Sequence, residues 1–193
     1  EDVLFPVLGY LLGARTGSKI PVIKGLLPET NEDQLKALGA AAASSGAVAM
    51  CHAVGVTPEA RTLDEAVQGQ PPEQIIPVTL ADLRQALAAL STVGDGRVHV
   101  IALGSPHFSI SEFQALLPLL EKHPIHPEVE FIVCTNRLAL VGLQQRGWLA
   151  SLQAMGVRVV VDTCVVVTPI VRHQGGVLMT NSGKFAHYSP GNI

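Results

Sequence analysis

In the second half of the chain, apolar positions come in short β-branched runs separated by stretches of helical period. Val98–Leu103, Glu130–Cys134 and Val157–Val161 read as strands. Between the first two, Ser109-Ile-Ser-Glu112 has capping-box spacing, and Phe108 and Phe113 stand where a hydrophobic staple requires them. Phe113, Leu116, Leu117 and Leu120 then form one apolar stripe. Leu138, Val141, Leu149 and Leu152 predict helix between the next two strands, interrupted near Gly147. Strand, helix, strand, helix, strand is the order of parallel βαβ units with helices over the sheet and right-handed connections.

The first half follows the same grammar less sharply. A helix is predicted to begin at Thr30 to Asp33 and to carry Leu35, Leu38 and Ala42, and Ala47–Cys51 reads as a strand after it. Thr79 to Asp82 caps another helix with Leu80, Leu83, Leu87 and Leu90 on one side. The stretch 60–77, rich in Gln, Pro and Gly, is the expected connection between lobes. The predicted fold is therefore α/β with a mostly parallel sheet, in two lobes over residues 1–70 and 71–193. There is no internal repeat and no low-complexity tract.

Composition narrows the function. No apolar run approaches the roughly 18–20 residues that span a bilayer, and the start lacks the basic segment of a signal peptide. The expectation is a cytoplasmic protein without a membrane partner. Thirteen basic residues are scattered in a chain of net charge −3, so no basic stripe awaits a phosphate backbone. With two Tyr, one Trp and five Phe, stacking platforms are scarce as well, and nucleic acid is set aside. Cys51, Cys134 and Cys164 are odd in number and widely spaced, a poor disulfide framework that suits reduced thiols. A first residue other than Met and an abrupt end suggest a segment of a longer protein.

Ligands of open parallel sheets bind beyond the carboxyl ends of the strands, and polar residues gather there. Gly104-Ser-Pro-His-Phe-Ser109 follows the first strand of this half, Cys134-Thr-Asn-Arg137 the second and Asp162-Thr-Cys164 the third. Cys51-His52 ends the first-half strand, and Thr180 leads into Asn181-Ser-Gly-Lys184 and His187-Tyr188. Cys134 and Cys164 would bind one metal if their strands are neighbours, about 5 Å apart; buried thiols also serve as small hydrophobes. His107 is a ligand, a general acid or a core histidine. Asn181, Ser182 and Lys184 make a cradle for a carboxylate or phosphate, or a capping turn with a solvated Lys. Arg137 offers a fork for a carboxylate, or starts a surface helix, and Asp162 orients a neighbour or caps a turn.

Taken together, Gly104–Glu112, Cys134–Arg137, Asp162–Val167, Asn181–Gly191 and Gly55-Val-Thr-Pro-Glu-Ala60 resemble the aconitase X family over roughly residues 50 to 191. The resemblance implies an aconitase-like three-layer α/β catalytic region plus a small swivelling domain or subunit. It implies a hydro-lyase that dehydrates a small hydroxy acid. The substrate is cis-3-hydroxy-L-proline, giving Δ1-pyrroline-2-carboxylate, in bacterial members and phosphomevalonate in archaeal ones. It implies an iron–sulfur cluster, of the 2Fe–2S type or related, or mononuclear iron, held by Cys134 and Cys164 with Cys51 as the in-chain third candidate. Some relatives carry Cys where this chain has Ser105, which bears on the type of cluster. His107, Lys184 and Tyr188 become the candidates for catalysis. Ser105, Thr135, Asn136, Arg137, Asn181 and Ser182 become those for substrate binding. A metal-free α/β ligand-binding or regulatory module is the reading from a different class.

Overall fold

Small residues set the geometry of the first unit. In the computed structural model, which describes residues 3–172 and 175–192, the chain divides between Leu90 and Ser91. Helix α1 (Leu4–Thr16) lies against α2 (Glu32–Gly46) so closely that a Cβ on Gly9 would meet the Leu38 carbonyl and one on Gly46 the Gly13 carbonyl. Phe5, Leu8 and Leu38 close one side of α1. On another side Val7 and Leu11 meet Ala86 of α4 (Leu80–Leu90). Covered in two directions, α1 is apolar around its circumference and has no amphipathic stripe for a sequence pattern to reveal.

Helix α2 starts at a full capping box between Asn31 and Gln34, inside the predicted Thr30–Asp33 start. The strand expected over Ala47–Cys51 is displaced. Ala47 takes the left-handed conformation that closes α2 (φ 59°), and pairing begins only at His52, whose N–H donates to the Pro21 carbonyl. The strands are β1 (Val22–Ile23) and β2 (His52–Ala53), paired in parallel. The stretch expected to join the lobes holds the short helix α3 (Leu63–Val67) with its own Thr62–Glu65 capping box. The division falls after α4, instead of at 70/71, because Leu83, Ala86 and Leu90 bury against α1.

The second unit is a four-stranded all-parallel sheet in the order β5-β4-β3-β6. Its strands are β3 (Val98–Phe108), β4 (Glu130–Thr135), β5 (Val157–Val161) and β6 (Val177–Met179). Side chains of β4 alternate between two cores. Phe131 and Val133 join Phe113, Leu116, Leu117 and Leu120 of α5 (Ile110–Lys122) and Leu152 of α7 (Trp148–Ala154). Ile132 and Cys134 join Val165 and Phe185, the latter from α8 (Gly183–Asn192). Helices therefore cover both faces, giving the three layers that the family resemblance implies.

The capping box at Ser109 and Glu112 forms, and the staple rings of Phe108 and Phe113 meet edge to face with centroids 5.0 Å apart. The predicted break at Gly147 separates α6 (Arg137–Gln145) from α7, with Gly147 left-handed (φ 72°). One detail differs. Leu138 and Val141, expected on the buried stripe, face outward, Leu138 at 82% exposure. Ala139 and Leu143 take the buried positions, because the Asn136 cap sets the helix phase.

The first unit carries an acid-sensitive tie. Asp82 accepts from the Thr79 hydroxyl at 2.5 Å and the Thr79 amide at 2.7 Å, and pairs with Arg15 across to α1. These contacts, Thr79 first, pull its carboxyl from the ordinary 3.8 to about 2. A depressed folded value means a contribution fully present above about pH 4 and lost as the pH falls toward 2. Asp82→Asn is expected to lower the urea midpoint at pH 7 and to flatten its decline between pH 4 and 2.

Candidate functional site

Where the paired strands end, the two cysteines of the second unit share one core. The β3–β4 register is regular through Leu103↔Val133 and resumes at Phe108↔Thr135, so residues 104–107 stand opposite Cys134 alone. This bulge pushes Ser105, Pro106 and His107 out of the ladder at the carboxyl edge of the sheet. Gly104 makes it possible. It has φ +87°, and a Cβ there would collide with the Cys134 carbonyl.

Three contacts then fix the bulge and its return to the ladder, and a fourth ties the loop after β5 to β4. The Thr135 hydroxyl donates to the Phe108 carbonyl at 2.6 Å, the Ser182 hydroxyl donates to the Ser105 carbonyl, and His107 Nε2 lies 3.1 Å from the Thr163 carbonyl. The Asp162 amide donates to the Thr135 carbonyl at 2.9 Å. The β3 extension, the end of β4, the loop after β5 and the start of α8 are thereby tied at one place. It lies beside the topological switch, where β3 leads on to β4 while β6 returns on its other side.

Alternation on β4 turns the Cys134 side chain toward the α8 face, fully buried, in the same core as the partly buried Cys164. Burial pushes the Cys134 thiol up to about 11. The Val165 amide, hydrogen-bonded to it, pulls the other way, and the charge of nearby Cys164 pushes up again. Ser105 is 2% exposed, and its hydroxyl has no partner among the described residues. A buried hydroxyl without an acceptor or donor is costly by about 1–3 kcal/mol, and this one sits on the bulge that stands opposite Cys134.

The other predicted site residues sort by what already occupies them. Thr135 is fully buried, with its hydroxyl in the Phe108 bond. Asn136 caps α6, accepting from the Ala139 amide at 2.8 Å, which leaves its amide nitrogen. Ser182 caps α8, accepting from the Phe185 amide at 2.9 Å while it donates to Ser105. Arg137 is 83% exposed and pairs with Asp162, so Asp162 does orient a neighbour. Lys184 and Tyr188, four apart on α8, share a helix face, and the Tyr188 ring meets His187 edge to face. Asn181 is exposed just before α8.

Cys51 belongs to the first unit, half-buried beside Phe5, Leu8 and Leu38, its thiol raised by burial and then by Glu59. Among the described residues no three His, Cys, Asp or Glu side chains gather to hold a metal. The two thiols that share one core therefore fit as part of a donor set for iron and not as a complete one. Sequence reasoning missed the backbone members of this site, the Thr163 carbonyl and the Val165 amide. Gly104 between an apolar strand and Ser-Pro was the available signal.

A second cleft of about 680 Å³ opens at the amino edge of the same sheet, lined by Arg97, His99, Glu128, Glu130, Arg158 and Arg172 among others. Its charges are largely engaged with one another, Arg97 with Glu128 and Arg158 with Glu130. The carboxyl edge is the better candidate.

A parallel three-layer α/β unit with two cysteines in one core at its carboxyl edge defines the class of fold. The aconitase X second-domain profile matches residues 1–101 and the third-domain profile residues 98–193, and the chain belongs to the aconitase X family. It is 42% identical over its whole length to a cis-3-hydroxy-L-proline dehydratase of Pseudomonas aeruginosa, of which it covers 34%. It is 37% identical over 99% of its length to the enzyme of that name from Hypocrea jecorina, covering 33% of it. Against the phosphomevalonate dehydratase large subunit of Methanothermobacter thermautotrophicus the identity is 36% over 97% of this chain and 45% of that one. The holo-form crystal structure of Thermococcus kodakaraensis aconitase X superposes with a TM-score of 0.86 at 29% identity, over 98% of this chain and 47% of that one. The chain thus spans about a third of the length of the two hydroxyproline dehydratases. Among the described residues no helix is long and apolar enough to cross a membrane.

Two outcomes test this geometry. Gly104→Ala is expected to cost at least about 1–3 kcal/mol in urea unfolding, the range for overpacking a tight contact. Cys134, buried and mostly protonated at pH 8, is expected to resist iodoacetamide until the chain unfolds, as read by peptide mass mapping.

Proposed function

We propose that the protein to which this chain belongs is a hydro-lyase that removes water from cis-3-hydroxy-L-proline, yielding Δ1-pyrroline-2-carboxylate. The observation that carries this reading is the 42% identity across the whole chain to a hydroxyproline dehydratase. The arrangement of thiols, hydroxyl and ammonium at one sheet edge supports it. The elimination removes the proton on the carbon bearing the carboxylate and the hydroxyl on the next carbon. The resulting enamine then tautomerises to the cyclic imine.

The chain's own residues divide this work. Cys134 and Cys164 would hold iron or an iron–sulfur cluster as thiolates, with Ser105 on the bulge opposite Cys134 and the remaining ligands supplied from outside this unit. When bound, that group supplies Lewis acidity that makes the substrate hydroxyl a better leaving group. The Lys184 ammonium and the Asn181 side chain receive the carboxylate, while Ser182, its hydroxyl used to cap α8 and to hold the Ser105 carbonyl, fixes the turn between them. Arg137, oriented by Asp162, and the Asn136 amide complete the polar rim. Tyr188, on the Lys184 face of α8, is placed to carry a proton. The Thr135 hydroxyl contributes by holding the bulge.

The partners implied are a small hydroxy acid and a swivelling domain or subunit of the same enzyme, and the compartment is the cytoplasm. Phosphomevalonate is the second reading, favoured by the 36% identity to the archaeal large subunit; Lys184 and Arg137 would then meet a phosphate.

Cys134→Ser and Cys164→Ser in the full-length enzyme are each expected to lose iron and acid-labile sulfide and to abolish turnover. Unchanged metal content in both would sink the cofactor assignment. Lys184→Met is expected to raise KM for hydroxyproline roughly tenfold or more, the scale of a lost hydrogen bond to a charged group. Turnover of phosphomevalonate but not hydroxyproline would reverse the substrate choice.

A further inference from the structure

We propose that His107 is a positioning residue, the strut that holds the Cys164 loop against the β3 bulge. The inference rests on the reading of Cys164 as a metal ligand for its functional meaning, but its geometry stands without it.

His107 Nε2 lies 3.1 Å from the Thr163 carbonyl. A carbonyl only accepts, so the Nε2 proton is committed to that bond. The carbonyl belongs to the peptide that joins Thr163 to Cys164. From there the loop turns on itself, with the Val167 and Thr168 amides donating to the Cys164 carbonyl at 3.2 and 3.1 Å. The Thr163 and Thr168 hydroxyls lie 2.5 Å apart and close the base of the turn. On the β5 side the Asp162 amide is fixed to Thr135, and the Asp162 carboxylate to Arg137. Every one of these contacts stays within the loop or ties it to β4 and α6. The His107 bond reaches this turn from the β3 bulge, the segment that also carries Ser105. Without it, the turn would be held by its ties to β4 and α6, among them the Val165 amide on Cys134, and by apolar packing around Val165, none of which starts from the bulge.

An imidazole suits this better than a flexible donor. Its ring is rigid, and the bulge fixes its starting point through the Phe108 and Ser105 carbonyls. With Nε2–H committed to the Thr163 carbonyl, the role assigned to His107 is exerted through the Cys164 loop.

The test uses full-length protein and three substitutions. His107→Gln keeps an amide donor near the Nε2 position. His107→Asn keeps polarity and size but moves the donor back toward the Nδ1 position, so it is informative if His107→Ala fails to fold. The first measurement, on iron-depleted protein, is the alkylation rate of Cys164 by peptide mass mapping. The second is the iron content and visible spectrum of the anaerobically isolated enzyme. The Ala and Asn variants are expected to alkylate Cys164 roughly five- to tenfold faster, the scale of one hydrogen bond, and to hold less iron. The Gln variant is expected to restore both. Equal rates in all variants and wild type, or Gln behaving like Ala, would overturn the proposal. So would loss of turnover in the Gln variant with Cys164 protection and iron intact, which would make His107 a proton carrier. A wild-type enzyme that never holds iron would defeat the cofactor reading, while the alkylation rates would still decide the strut.

Discussion

The absence of a side chain at position 104 is the constraint on which the carboxyl edge depends. Parallel strands leave about 5 Å between backbones, and here β3 swings closer, with its Gly104 Cα lying over the Cys134 carbonyl. Any Cβ would hold the strands apart at that level. Apart, the bulge of residues 104–107 would lose its seat, and Phe108 could not return to register with Thr135. The bonds from Thr135, Ser182 and His107 all end on or begin from this short segment. A backbone conformation with φ +87°, uncommon for any residue but glycine, therefore precedes the site both sterically and logically.

Alternation along β4 supplies the second constraint. Cys134 and Thr135 are neighbours in sequence and point to opposite faces, and the two faces ask different things of a polar group. Thr135, toward the α5 side, satisfies its buried hydroxyl at once with a carbonyl. Cys134, toward α8, meets an apolar pocket, a second sulfur and one amide. A neutral thiol tolerates that pocket and a bare thiolate does not, which is why its proton is held so tightly. A metal cation would replace that proton and reverse the balance.

Much of this was legible in the sequence because the signals are local. Strands β3, β4 and β5 are short β-branched runs, and the Ser109–Glu112 box and Phe108–Phe113 staple are fixed spacings with a direct geometric meaning. What escaped notice depends on tertiary context. Helix α1 is apolar all round since α2 and α4 both cover it. Ala47 ends a helix in a left-handed cap that no composition rule assigns to alanine. Leu138 and Val141 sit at plausible stripe positions, yet the Asn136 cap rotates them to solvent. At the site, residue types at strand ends gave the candidates, but not the way they are used. The Thr163 carbonyl and Val165 amide are backbone groups, which no residue pattern can single out.

The bonding at the edge separates frame from reactive surface. Thr135, Ser182 and the capping oxygen of Asn136 have their hydrogen bonds filled by the fold, and Asp162 is turned toward Arg137. Lys184, Asn181 and the Ser105 hydroxyl have no such partner among the described residues. A fold normally satisfies a buried hydroxyl, and this one does so for Thr135 and Ser182 within the same cluster. It leaves the Ser105 hydroxyl unsatisfied on the bulge that stands opposite Cys134, while the Ser105 carbonyl is tied to Ser182 at the start of α8. Ser105 differs in this from Arg137, whose exposed guanidinium is already paired with Asp162.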